Sequence, residues 1–209
     1  KYYRSKDHYV LNEFEDLTEE NENTLRLLTE LCENSFKITA CSKWLGNKVE
    51  LLLGENIASK VSELPNAVDE SRFHEVGKGN VSISSPLYIF SFGRLEVHKG
   101  FQDLINAFSK MSETNYDLLI GGDGDYLDKL SELVESFDQN IYKRIKLLGR
   151  LTQDEVAHYC VNAELIVIPS RREPFGISVL EAIASGSRVL VSHVDGIPEV
   201  GSDLVEYYH

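Results

Sequence analysis

Long apolar runs are missing from this 209-residue chain, and the longest are no more than stretches such as Leu165–Ile168. A membrane-crossing helix needs ~20 apolar residues in a row. No span is expected, and the opening residues do not read as a signal peptide. Cysteine is scarce. Cys32, Cys41 and Cys160 lie far apart, with no C-x-x-C and no Cys/His pair at zinc spacing. That pattern excludes a disulfide scaffold and a structural zinc site, and predicts reduced core thiols in a cytoplasmic protein. Positive charge is also short: 21 basic residues against 34 acidic ones leave a net charge of -13. A nonspecific nucleic-acid binder carries the opposite sign, so nucleic acid is not an expected partner. The base-free acidic stretch of Glu13, Glu15, Asp16, Glu19, Glu20 and Glu22 is read as a solvated loop or helix face. There is no internal repeat and no low-complexity tract. With 42% hydrophobic and 26% charged residues, disordered and fibrous classes are excluded, and the length allows one large domain or two small ones. The chain opens on Lys1 rather than Met, as a processed chain or an expressed fragment would.

What is present is periodic. Leu25, Leu28, Leu31 and Cys32 share one face of a helix over 24–34. Phe36–Cys41 reads as a short buried strand. Ser42 then caps a helix that Gly54 ends. Residues 61–69 form a strand running into a turn at Pro65–Asn66, and 70–86 read as a linker. From Leu87 strands and helices alternate. Strands are expected at 87–93, 116–121, 145–149, 165–170 and 188–192. Helices are expected at 99–111, 126–137, 153–163 and 176–186. The strands are continuous apolar runs rather than alternating ones, as a parallel sheet covered on both faces requires. The fold class is therefore α/β, a doubly wound, Rossmann-like parallel sheet. Ligands in such folds sit beyond the carboxyl ends of the strands.

The loops at those ends carry the chemistry. After the first strand of this series, Arg94 and Lys99 follow Gly93 and flank a helix start. They form a candidate phosphate clamp, or else two surface bases. His98 between them reads as a loop histidine. None of His98, His158 and His193 is expected to work with a neighbouring acid as a base. After the second strand comes Gly121-Gly122-Asp123-Gly124-Asp125. Its glycines are expected to let backbone approach a ligand. The third glycine of a dinucleotide fingerprint is missing, and no GK[ST] occurs. The D-x-D of Asp123 and Asp125 is read as helix-capping acids, with no metal expected. After the fourth strand, Glu173 and Glu181 bracket Phe175, Gly176 and Ile177. Gly176 leaves room for an anion at the helix N-terminus, and each carboxylate can read a vicinal diol. A nucleotide-sugar suits that set. A capping Glu173 with a solvated Glu181 remains open, as does a hydrolytic carboxylate pair, although nothing marks an acid of raised pKa.

The segments FSFGRLEVHKG, LLIGGDGDYLDKL, IKLLGRLTQDEV and PSRREPFGISVLEAIASGSRVLVSHVDGIPEV, in that order, resemble the C-terminal domain of GT-B retaining glycosyltransferases. That large family includes sucrose synthases, bacterial mannosyltransferases and lipopolysaccharide glucosyltransferases. KVSELPNAVDESRF upstream is similar to the family's P-N-G-V-D turn, with Ala67 in place of the glycine. The resemblance implies the C-terminal half of a GT-B fold: residues 1–70 as the tail of an acceptor domain plus linker, and residues 71–209 as a donor-binding domain stopping short of the final helices. It implies transfer of a hexose, with retention, from a UDP- or GDP-type sugar to a glycan or lipid-linked acceptor in polysaccharide biosynthesis, without a cofactor or metal. By that likeness Arg94, Lys99 and Glu173 are catalytic. Gly93, Gly122, Leu151, Phe175, Gly176, Ile177 and Glu181 bind the donor, with Glu181 on the ribose and Leu151 against the base. The acceptor, and any peripheral membrane contact, would belong to an absent N-terminal half. The alternative is a noncatalytic nucleotide-sugar-binding module completed by another chain.

Overall fold

Where the hydrophobic runs of the second half of the chain are buried, they are buried side by side and in one direction. The computed structural model describes residues 3–5, 8–11, 22–74, 87–111 and 115–209. The acidic stretch from Glu13 to Glu20 and linker residues 75–86 lie outside the described residues. Two compact units emerge. The first comprises Lys1–Ala67, Pro174–Gly176 and Asp195–Val200, and the second Val68–Glu173, Ile177–Val194 and Gly201–His209.

In the first unit, β1 (Tyr3–Ser5), β2 (His8–Leu11), β3 (Lys37–Ala40) and β4 (Val61–Glu63) form a sheet in that order. β1 is antiparallel to β2, and the other pairings are parallel. Helices α1 (Glu22–Glu33), α2 (Lys43–Leu53) and α3 (Glu55–Ala58) accompany it. Ser42 caps α2 as the sequence predicts, accepting a hydrogen bond from Leu45 N at 3.1 Å. The cap has two further parts that the sequence did not disclose. The Ser42 hydroxyl donates to the Pro174 carbonyl at 2.6 Å. The Glu199 carboxylate accepts from Lys43 N at 2.7 Å and from Trp44 N at 2.6 Å. Three of the four unpartnered N–H groups of the first turn are thereby satisfied, by groups whose charge suits that end of the helix dipole. Gly54 ends the helix at φ 85°.

The second unit alternates strand and helix: α4 (Ser71–His74), β5 (Tyr88–Phe92), α5 (Phe101–Ser109), β6 (Asp117–Gly121), α6 (Leu127–Glu135), α7 (Gln139–Tyr142), β7 (Ile145–Gly149), α8 (Gln153–Val161), β8 (Leu165–Ile168), α9 (Ile177–Ala184) and β9 (Val189–Ser192). It ends with the last residue of α10 (Ile197–Gly201) and β10 (Glu206–Tyr208). The six strands run parallel in the order β10-β9-β8-β5-β6-β7. The chain winds outward from β5 to β7 and then outward the other way from β8, so the order reverses between β5 and β8. Both faces are covered. Ile89, Leu118, Ile120 and Val167 pack with Phe101, Ile105 and Phe108 of α5 and Leu130 and Val134 of α6. On the other side Phe90 stacks on Tyr159 of α8 at 5.3 Å. This is the doubly wound parallel sheet that continuous apolar strands imply. All three cysteines are buried thiols, and burial pushes Cys32 up to about 11.

The helix expected over 99–111 is broken. Val97–Lys99 is a 3₁₀ turn, and Gly100 is left-handed at φ 72° before α5 begins. The reason is contact with the loop after β8: a Cβ on Gly100 would lie 2.0 Å from the Pro169 carbonyl oxygen. Strand β8 stops at Ile168 because Pro169 follows it. β1, β2, α3, α4, α7, α10 and β10 were not anticipated. Each is three to five residues long, too short to show a period.

Two glycines give a matched test of the Gly100 contact. Gly149 has φ 71° with nothing within 4 Å of an added Cβ, whereas Gly100 has φ 72° with a carbonyl in the way. Gly149→Ala should cost only the ~1–2 kcal/mol of left-handed strain. Gly100→Ala should cost a further ~1–3 kcal/mol for overpacking. Urea midpoints at unchanged m-value measure the gap. Equal losses would mean that the Pro169 carbonyl yields without cost.

Candidate active site

The carboxyl ends of β5, β6 and β7 are tied together by backbone. Gly93 N donates to Gly121 O at 3.0 Å, Gly122 N to Gly149 O at 2.8 Å, Leu95 N to Asp123 O at 2.9 Å and Tyr126 N to Leu95 O at 2.9 Å. Glycine at 122 and 124 is what lets the chains come this close. Added Cβ atoms would sit 1.9 Å from Gly93 O and 2.5 Å from Leu95 O. The space that these glycines leave on that side is taken by the carbonyls of the neighbouring loop. Leu151 covers Gly121 in the same manner, its Cδ1 2.4 Å from where a Cβ would stand. Asp123 accepts from Gly124 N at 2.9 Å, holding the turn that leads into α6. Gly93, Arg94, Asp123, Gly124, Asp125 and Arg150 line an open cleft of about 480 Å³. Arg150, at the end of β7, was missed by sequence reasoning, which attended to its neighbour Leu151.

Charged side chains meet across the reversal between β5 and β8. The Lys99 ammonium lies 2.7 Å from Glu173 Oε2, with side-chain exposures of 15% and 11%. Both were singled out from sequence, on separate roles. Their direct pairing was not foreseen, because they are 74 residues apart. Arg94 Nη1 is 3.0 Å from Glu96 Oε1, and His98 Nε2 is 3.3 Å from Glu96 Oε2. Glu96 thus stands beside both side chains. The Glu-x-His spacing of Glu96 and His98 in a tight turn brings the pair together within three residues. Arg171 grips the Asp103 carboxylate with Nε at 2.7 Å and Nη2 at 2.8 Å. Its own N–H donates to His98 O at 2.7 Å.

Glu181 is the fifth residue of α9 and half-buried. Burial raises its pKa, and the Arg72 charge works in the opposite direction. Glu181 is thus partly withdrawn from water, with its pKa raised above the ordinary carboxylate value. Arg72 was hidden in what read as a linker. It stands on α4, contacts the Gln153 side chain and lies 3.8 Å from Asp154 at the start of α8. Cys160 of α8 is pushed well above its ordinary value, first by burial and then by the Glu181 charge. Ile177 opens α9 half-exposed. Phe175 is buried and Gly176 has φ 102°. These two residues group with the first unit, while Glu173 and Ile177 belong to the second. Among the described residues no three His, Cys, Asp or Glu side chains converge as metal ligands would.

Residues 77–207 match the family described as glycosyl transferases group 1. The chain belongs to that family. An uncharacterized glycosyltransferase of Methanocaldococcus jannaschii is 39% identical over 113 residues, which is 54% of this chain and 28% of that protein. Among solved structures, the sucrose-phosphate synthase of Thermosynechococcus elongatus superposes with a TM-score of 0.79 at 19% identity, covering 98% of this chain and 55% of that one. The HepE protein of Anabaena, solved in complex with UDP and glucose, gives 0.79 at 20% identity over 96% of this chain and 57% of that one. The chain thus spans about half, or less, of the proteins it matches. The group 1 glycosyl transferase fold accounts for the parallel sheet and places Arg94, Lys99, Glu173 and Glu181 on the helices and strand-end loops of one Rossmann-like unit.

The buried carboxyl of Glu181 has a consequence for stability. Its raised pKa means that the folded chain keeps this proton to higher pH than the unfolded chain does. The favourable contribution is complete below the unfolded value of about 4.3 and is lost as pH rises through the folded one. Glu181→Gln removes that loss. Its urea midpoint should exceed the parent's near about pH 7 and match it near about pH 4. A lower midpoint at neutral pH would mean that attraction to Arg72 outweighs burial.

Proposed function

We propose that this transferase moves a hexose, with retention of configuration, from a UDP- or GDP-sugar to a glycan or lipid-linked acceptor in polysaccharide assembly, and that residues 71–209 are its donor-binding part. The observation carrying this reading is the Lys99–Glu173 pair, 2.7 Å apart and shielded from water at the reversal of strand order. A cation there suits a diphosphate, and the carboxylate beside it suits sugar hydroxyls. In the free chain each neutralises the other. Donor binding would part them, Lys99 turning to phosphate and Glu173 to the sugar. Arg94 would share the diphosphate, Glu181 would take the ribose diol, and the N–H groups opening α9 would face the anion. Charge building on the departing diphosphate is then met by fixed cations, which is where rate enhancement arises. No metal is required in this scheme. The UDP held by HepE supports a nucleotide-sugar donor, and a protein of the cytoplasm with access to such donors fits the reading.

Calorimetry in EDTA with UDP, GDP and their hexose conjugates tests the assignment. Glu173→Gln should cost nucleotide-sugar binding ~1–3 kcal/mol and leave diphosphate affinity equal or tighter, because Lys99 is released. Lys99→Ala should weaken both ligands. Equal losses for both ligands in both variants would overturn the division of roles.

Transfer also needs an acceptor hydroxyl within ~3–3.5 Å of the anomeric carbon, a task assigned to an acceptor-binding half beyond this chain. The 209-residue chain alone should show at most trace hydrolysis of a labelled donor. Fusion to that half should restore retaining transfer. Robust transfer by the chain alone would defeat this assignment.

A further inference from the structure

Two ion pairs join the loop that follows β5 to the loop that follows β8, and they run in opposite senses. In the inner pair the cation, Lys99, stands on the β5 side and the carboxylate, Glu173, on the β8 side. In the outer pair the carboxylate, Asp103, stands in the first turn of α5 and the cation, Arg171, on the β8 side. A slip that brought Lys99 toward Arg171, or Asp103 toward Glu173, would set like charges together. The crossed arrangement therefore specifies one register of the two loops. The outer pair is bidentate, the geometry in which an arginine fixes direction as well as distance. It is reinforced by the Arg171 N–H on His98 O at 2.7 Å and by the Pro169 carbonyl seated over Gly100.

We propose that Arg171 and Asp103 are positioning residues for the donor site, holding Lys99 and Glu173 in register when those two side chains turn from each other to a bound nucleotide-sugar. The inference rests on the donor-site reading above. Its logic is that the inner pair cannot serve as the fastening once its members are engaged by ligand. The outer pair touches no reacting group and keeps its bonds throughout. With side-chain exposures of 49% and 52%, it lies far enough out to remain closed while the inner pair opens. Neither residue is a catalytic residue.

The test uses the 209-residue chain, its Asp103→Asn and Arg171→Met variants, and the exchanged double variant Asp103→Arg with Arg171→Asp. Titration with UDP, GDP, UDP-glucose and GDP-mannose is paired with hydrogen exchange at the Arg171 amide without ligand. Both single variants should weaken diphosphate binding modestly, through Lys99, and lose about tenfold or more of the extra affinity that the sugar supplies, since small misplacements of binding groups carry costs of that order. Exchange at Arg171 should quicken while protection in β5 and β6 stays unchanged, and the double variant should restore both properties. Equal weakening toward diphosphates and sugar conjugates, or no change at all, overturns the proposal. If the parent chain binds none of the four ligands, the donor reading fails by itself. The exchange measurement then decides the fastening alone, and an Arg171 amide as protected in the single variants as in the parent refutes it.

Discussion

Three carbonyl oxygens, those of Gly93, Leu95 and Pro169, stand where the Cβ atoms of Gly122, Gly124 and Gly100 would otherwise be. The carboxyl end of the sheet depends on these close approaches. They draw the loops after β5, β6 and β8 to main-chain contact. Side chains as short as Glu173 can then reach a lysine on the next loop, and an arginine can close on an aspartate at the first turn of a helix. Larger residues at the three glycine positions would hold the loops apart, and the same charged groups would face water separately. The chemistry is set by side chains, but their meeting is set by the absence of three of them.

Much of this fold was legible because its strands are buried on both faces. Leu165–Ile168 reads as an unbroken apolar run and Tyr88–Phe92 as one interrupted only by Ser91, as strands of a covered parallel sheet do. Local capping was legible too: Ser42 and Gly54 bound α2 as their residue types require. Contacts far apart in sequence were not legible. Nothing near Lys99 announces Glu173, nothing near Trp44 announces Glu199, and Arg72 sits in a stretch whose polarity suggested a linker. The glycines of GGDGD were identified as close-approach positions, but sequence could not say whether ligand or backbone approached. In the structure Gly122 and Gly124 admit the carbonyls of Gly93 and Leu95. Of the candidate site, the identities of the charged residues could be read, whereas the pairing between them is a product of strand order. The family resemblance named the site, and the family match establishes the membership.

Glu181 shows how such a site is kept at some expense. Burial of this carboxyl beside the thiol of Cys160 raises its pKa, and the charge of Arg72 works the other way. A glutamine would pack there with less penalty. That acid is the group which the proposed donor site gives to the ribose diol, and perturbed acids of this kind gather at functional sites.

The three-part cap on α2 also governs the order in which the first unit can be assembled. The carboxylate that satisfies Lys43 N and Trp44 N comes from Glu199, separated from them by 156 and 155 residues. At ribosomal speeds of ~5–20 residues per second, that interval is roughly 8–30 s of synthesis. During it β3 and α2 exist in the emerging chain with two backbone donors of the first turn still hydrated. The intervening residues, which build most of the second unit, are completed first. The cap on α2 is thus completed only after the residues that build most of the second unit have been synthesised.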